Sequence, residues 1–277
     1  MKKSRYFIIG LIFLSMIVFN LSVRAQYPTY QVGVKKGSEI IWEVISVDPI
    51  GLEEVLGPNY VSKGNDQFGV GWTQLGAKAK WKVENILFNT SIDYGLGYMY
   101  AFQIYTKEWP WTLTGFDSVT PFTFAYYTFY DPQDVQALSA VNGRNVSIFD
   151  TWAGGTYSVI SHFRFLPIPA NSYLAELVWA SGHTINGFNL TVENAIVPND
   201  PTWFLTNYTM TFTSDSVSGA YIGCRLQDNE SSVIYEVEAE YKVPSEEPEI
   251  FGYSFPFLIG ITSLAMVCLI YIIMKKK

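Results

Sequence analysis

The sequence predicts a mainly β protein: a large, curved antiparallel sheet or sandwich with a few short helices, plus one C-terminal transmembrane helix. Three observations predict it. Apolar residues recur at every second position through the interior of the chain. Aromatic residues make up 17% of the 277 residues and charged residues only 16%. Near the end, Ser254 to Met274 is a run of 21 residues without a charge. As a helix it measures ~31 Å, enough to cross the hydrocarbon core of a bilayer.

The elements follow in chain order. Lys2, Lys3 and Arg5 precede an apolar run from Tyr6 to Phe19, and Val23-Arg24-Ala25 places small residues before Gln26. This is the layout of a secretory signal peptide, residues 1–25. Strands are expected at Glu39–Val47, Ala77–Val83, Leu96–Tyr105, Phe122–Phe129, Tyr157–Phe165, Thr184–Val192, Tyr208–Thr213, Ala220–Leu226 and Tyr235–Lys242. Lys78, Lys80 and Lys82 share one face of their strand, and Glu236, Glu238 and Glu240 share one face of theirs. Such alternation marks half-buried strands, and both charged faces are expected on one side of a common sheet. Thr213 to Gly219 reads as a hairpin loop. Short helices are expected at Leu52–Leu56, at Asp131–Leu138 with Pro132 behind a capping Asp, and at Asn171–Ala180.

Composition does not shift between residues 26 and 243, so this stretch reads as a single β-rich extracellular domain. Residues 244–253, with Pro244, Pro248 and three Glu, read as a stiff acidic stalk. Lys275, Lys276 and Lys277 then close the span and set its end on the cytoplasmic side. All 25 acids lie between residues 39 and 249, against eleven bases between residues 26 and 253. That stretch therefore carries a formal −14, although the whole chain carries −7. An acidic body argues against a nucleic-acid partner. The aromatic content argues against disorder, and two Cys argue against a disulfide-stapled scaffold.

No catalytic constellation stands out. His162 and His183 are 21 residues apart with no metal-binding spacing, so no metal and no cofactor are expected. Cys224 lies in an expected strand and Cys268 in the span. Gly154-Gly155 reads as a tight turn, and no G-x-S-x-G occurs. Paired carboxylates could serve a hydrolase, but Asp93, Asp117, Asp131, Asp134, Asp150 and Asp200 offer no selected pair. Asn199-Asp200 and Gln227 to Glu230 are acidic loops without calcium-loop spacing. Five sequons, at Asn89, Asn145, Asn189, Asn207 and Asn229, fit a glycosylated exported body. Trp109-Pro-Trp111 is the best candidate for an exposed recognition loop.

The acidic Pro-containing stalk, Ile250, Gly252 and Tyr253 ahead of the span, and the terminal Lys275 to Lys277 resemble the C-terminal sorting or anchor segments of Asgard archaeal surface proteins, the Loki-CTERM type. That signature usually has Pro where this chain has Phe251, which leaves open whether the segment is cut by a sorting enzyme or retained as the anchor. The body resembles the "choice-of-anchor" group of archaeal surface proteins. The cues are Val32 to Glu39, Phe165 to Pro169 and the strand Val233 to Tyr241. The resemblance implies location and fold, and carries no activity. The expectation is a single-pass cell-membrane protein, body outside and C-terminus cytoplasmic, held by its own helix. Its role is non-enzymatic binding or envelope structure toward an extracellular partner or ligand. The alternatives are a carrier of a lipid or other apolar ligand, and an envelope hydrolase.

Overall fold

The computed structural model describes residues 30–93, 98–141, 143–149, 164–197 and 200–244. The protein is mainly β. Its frame is a nine-stranded antiparallel sheet. In chain order the sheet strands are β2 (Glu39–Val47), β3 (Lys78–Asp93), β4 (Tyr98–Thr112), β5 (Phe122–Phe129), β7 (His183–Asn186), β8 (Asn189–Glu193), β9 (Thr209–Ser214), β10 (Tyr221–Gln227) and β11 (Val233–Lys242). Across the sheet the order is β5-β4-β3-β2-β11-β10-β9-β8-β7. A separate two-stranded ribbon joins β1 (Gln31–Val32) to β6 (Pro167–Ile168). Among the described residues four α-helices are interspersed: α1 (Pro49–Leu56), α2 (Tyr60–Phe68), α3 (Pro132–Val141) and α4 (Ala170–Glu176).

Side-chain alternation explains the sheet's two faces. Ile40, Trp42 and Val44 of β2 are buried, as are Val237 and Tyr235 of β11, Cys224 and Leu226 of β10, and Met210 and Phe212 of β9. On the opposite, wet face, Glu238 lies across from Glu43, and Glu43 from Lys78. The Lys strand and the Glu strand thus share a sheet and a side, as their pattern predicts, with β2 between them. The direct pair is Lys78 Nζ to Glu43 Oε2 at 3.1 Å. Both side chains are nearly half exposed, so the pair contributes little.

Helix α1 begins where the sequence supplies a cap. Asp48 Oδ1 accepts the Ile50 N–H at 3.0 Å, and Pro49 follows. It buries Leu52, Val55 and Leu56. Helix α2 was not expected, because Gly64 sits in its middle and its sequence, YVSKGNDQF, is polar. Tertiary packing overrides propensity there. The indole of Trp72 lies against the helix so closely that a Cβ on residue 64 would fall 2.2 Å from Cζ2. Helix α4 starts at Ala170 and ends at Glu176, short of the expected Ala180, because Leu177 turns extended.

Helix α3 packs on β5, α4 packs on β7, and the two helices touch each other. Strands β5 and β7 are the opposite ends of the sheet. The sheet is therefore curled, with the helix pair reaching from one end to the other. Buried Met99, Ala101, Phe129, Tyr173, Leu174 and Leu177 fill the space beneath them as a second core cluster.

Several expectations are corrected. Thr184 to Val192 is two strands joined at Gly187-Phe188, with Asn186 paired to Asn189. Asn186-Gly187 is the short-range turn signal that divides them. Strands β3 and β4 run far past Val83 and Tyr105, forming one long hairpin. The Trp109-Pro-Trp111 segment is part of β4 and both rings are half-buried. It is strand, not loop. Of the expected Tyr157–Phe165 strand, residues 157–163 lie outside the described residues, as do the signal segment, residues 245–253 with Ile250, Gly252 and Tyr253, the span 254–274 and Lys275 to Lys277. Among the described residues no helix is long and apolar enough to cross a membrane.

Candidate functional site

A groove of about 670 Å³ lies between the N-terminal segment and β3. Its apolar wall is Tyr30, Val32, Val34, Ile86, Phe88 and Tyr130. Two features of the backbone build it. Gly33 lets the N-terminal segment press onto the loop before β10, since a Cβ there would fall 2.6 Å from the Ser218 carbonyl. The pairing of β3 with β4 shifts register between Val83 and Asn85 and again between Leu87 and Thr90. Bulges re-aim side chains. Here consecutive Leu87 and Phe88 are both exposed, at 43% and 59%.

Polar and charged groups also line or adjoin the groove. Tyr30 is buried, meets Tyr173 edge-on at 5.1 Å and donates its hydroxyl to Glu176. Burial, then the Glu176 contact, push its phenol above the ordinary range, and Asp131 adds to the effect. Asp134, raised by burial and by Asp131, stands in the same acidic neighbourhood. Exposed Lys35 and Lys36 also line the groove and lie in a turn pinned to the sheet. Gly37 N–H donates to Val83 O at 2.7 Å, and Ser38 Oγ meets Tyr241 OH at 2.9 Å.

A second polar cluster lies on the buried face of the sheet. Arg164 Nη1 donates to both carboxylate oxygens of Glu108, at 3.3 and 3.1 Å. Glu108 Oε1 also accepts from Thr106 Oγ1 at 2.8 Å and from Tyr126 OH. The guanidinium is stacked between Trp81 at 4.5 Å and Tyr126 at 4.8 Å. Burial drives the Tyr126 phenol far above its ordinary range, so it stays protonated and donates. The carboxylate, guanidinium and phenol are bonded to one another, which makes the cluster a structural clasp.

The third constellation is Ser147 with His183, beside a cavity of about 640 Å³. Their Oγ and Nε2 stand 3.5 Å apart. The geometry opposes nucleophilic chemistry. Nε2 already accepts the Ile148 N–H at 3.3 Å, and Ser147 Oγ accepts the Phe149 N–H at 3.2 Å. Those partners assign the proton to Nδ1, which faces Ser181 O at 3.4 Å. The ring also stacks on Trp179 at 5.6 Å. His183 is buried at the start of β7 and locks residues 147–149 to the turn at 181–183.

Burial lowers the His183 pKa, against the Ser181 and Ala180 carbonyls. The unfolded chain therefore takes up this proton near pH 6.5, before the folded chain does. His183 accordingly contributes stability above that pH and loses it as pH falls. Urea unfolding is expected to show a larger drop in stability from about pH 7.5 to about pH 5 than the same titration of His183→Gln. Equal drops would remove the assignment.

The sequence-nominated residues are scattered. Trp109 lies under Lys80 Nζ at 4.2 Å, and Trp111 packs on the core. Asp117 is in a short 3₁₀ turn, Asp131 caps α3 by accepting the Gln133 N–H at 2.8 Å, and Asp200 Oδ1 accepts from Thr202 Oγ1 at 2.7 Å. Asp228 Oδ1 is taken by the N–H groups of Glu230 and Ser232. Cys224 is buried, and burial pushes its thiol up to about 12. Among the described residues no three His, Cys, Asp or Glu are grouped to hold a metal ion. Asn145, Asn207 and Asn229 are exposed, while Asn189 is half-buried and accepts from Thr213 Oγ1 at 2.9 Å. The side chains of Asn89 and Asp93, together with Asp150, Gly154, Gly155, His162, Asn199 and Cys268, lie outside the described residues. The groove was not nominated, because residues 30–36, 85–88 and 130 carry no joint sequence signal.

Compared with known protein families, curated proteins and solved structures, the chain matches none.

Proposed function

We propose that the chain is a membrane-anchored, cell-surface β domain whose role is non-enzymatic binding. The reading places it with the choice-of-anchor surface proteins of Asgard archaea, carried by an export signal and held by residues 254–274 with the body outside. The observation that carries it is the sequence layout: an acidic body between an export-type N-terminus and a charge-free run closed by Lys275 to Lys277. Two structural features support it. The buried face of the sheet is filled with side chains, and the Glu108–Arg164 and Ser147–His183 groups are engaged in hydrogen bonds within the domain. A carrier role is the second reading, favoured by the apolar groove beside Tyr30.

Mass spectrometry of the chain purified from membranes tests the main reading. The expected product starts at Gln26 and carries glycans on exposed Asn207 and Asn229. Asn189 should be modified less, because its side chain is bound within the β8–β9 pair. Asn145 is a special case: the hydroxyl of its sequon Ser147 is buried, so a transferase must reach it before folding. An intact N-terminus with all of these Asn bare would contradict export.

A further inference from the structure

We propose that the cavity beside Ser147 and His183 seats the chain's own glycan, with the neutral sugars nearest the Asn145 linkage packed against Ser181, Asn194 and Ile196. This rests on the export reading above and names what the exported chain carries at this site.

Asn145 ties the occupant to the place. It is exposed, it lines the cavity of about 640 Å³, and it opens the sequon Asn145-Val-Ser147. That volume falls within the ~300–1,000 Å³ of small-molecule sites. The backbone is fixed one residue further on: Val146 N–H donates to Val178 O at 3.0 Å, and Val146 O accepts the Ala180 N–H at 2.8 Å. A sugar on Asn145 therefore starts from a set point on the cavity wall. In the transfer, Asn145 Nδ2 bonds to C1 of a lipid-linked sugar phosphate, the bond from C1 to the phosphate oxygen breaks, and the amide proton leaves with the phosphate. The Ser147 hydroxyl that the transferase must reach is buried in the folded chain. Transfer thus comes first, and residues 144–149 fold against 180–183 with the sugar already attached.

The rest of the lining is held in place and mixed in polarity. Glu193 N–H donates to Gly182 O at 2.7 Å. A Cβ on residue 182 would fall 2.3 Å from Glu193 O, so the turn and the end of β8 are pressed together. Asn194, at φ 50°, accepts the Tyr208 N–H on Oδ1 at 2.9 Å, which fixes its amide and keeps the NH₂ group as a donor. Ser181 adds a hydroxyl, and Ile196, 74% exposed, adds an aliphatic surface. A sugar ring has the matching parts, with hydroxyls around its edge and C–H bonds on its faces. The charged lining residues are Arg144 and Glu193, one of each sign, which favours a neutral ring over an ionic one. The tether then decides affinity. A linked ligand acts at an effective concentration in the millimolar range, so weak contacts with a preformed wall suffice.

The full chain purified from its own membranes tests this. Site-resolved mass spectrometry should find Asn145 glycosylated. Peptides covering residues 180–183 and 193–196 should exchange deuterium more slowly in the parent than in Asn145→Gln, and that variant should melt roughly 3 °C lower. Ile196→Ser should cause a similar fall in the parent and no further fall in Asn145→Gln, because both remove the same contact. In chain made by a host without N-glycosylation, Asn145→Gln should melt like its own parent, which assigns the effect to the sugar and not to the amide. Asn145 bare while Asn207 and Asn229 carry sugar would defeat the seated glycan and leave export standing. All of these Asn bare would defeat both. A glycosylated Asn145 whose replacement changes neither exchange nor melting would put the sugar in solvent and overturn the proposal. Additive losses from Asn145→Gln and Ile196→Ser, or a fall in melting temperature in the unglycosylated chain, would overturn it as well.

Discussion

Replacing Arg164 with alanine is expected to lower the stability of the β domain by ~3–5 kcal/mol, because it strips Glu108 of its counter-charge. Glu108 is only 8% exposed and would keep Thr106 and Tyr126 as its remaining partners. A carboxylate so placed is costly without a cation. For a domain of this size ~1 kcal/mol moves the melting temperature by ~2–4 °C, so calorimetry should read a fall of roughly 10 °C. Glu108→Ala should cost a comparable amount, since the guanidinium is then left between two rings without its anion. The informative variant combines both. Removing the pair together leaves no uncompensated charge, so the double variant should lose markedly less than the two single losses added. Additive losses would show that the two residues act separately, and the clasp would be dismissed.

The second large effect lies at Trp72. It is 1% exposed, meets Tyr235 edge-on at 4.8 Å and Tyr60 at 6.4 Å, and donates Nε1–H to Val61 O at 3.2 Å. Trp72→Ala is expected to cost ~3–5 kcal/mol, the range for emptying a buried aromatic site. It also leaves the Val61 carbonyl without that donor. A sharper companion is Gly64→Ala. In an exposed helix this change is stabilising by ~1 kcal/mol. Here the new methyl would meet the Trp72 ring at 2.2 Å, so the sign reverses and stability falls. In the Trp72→Ala background the clash is gone, and Gly64→Ala should regain its ordinary stabilising sign. Chemical denaturation of the four proteins reads the cycle directly. A Gly64→Ala that stabilises the parent would mean that the helix does not touch the indole.

These two sites show where sequence reasoning reaches and where it stops. Strands whose apolar residues alternate were legible nearly to the residue, as with Glu39–Val47 and Phe122–Phe129. The common charged side of the Lys and Glu strands was legible too, because alternation fixes which residues share a face. Helix α2 was hidden, since its own sequence is polar with a central Gly64, and Trp72, against which it packs, lies outside it. The Trp-Pro-Trp motif misled for the opposite reason. Pro110 reads as a loop signal, yet the long β3–β4 hairpin carries it within a strand. The Arg164–Glu108–Tyr126 clasp joins residues 38 and 56 positions apart, and no local pattern announces such a pair. The groove is hidden for the same reason, with bulges as its second cause. A bulge is one extra residue in a strand, and alternation alone does not place it.

On the proposed function, an acidic, side-chain-filled β domain is displayed outside a membrane and held by residues 254–274. Carbonate extraction of membranes from cells first treated with an impermeant amine-reactive label tests this arrangement. The chain is expected to stay in the membrane pellet, to carry label on body lysines such as Lys36 and Lys242, and to carry none on Lys275 to Lys277. A chain released by carbonate, or label on the terminal lysines with the body bare, would contradict it.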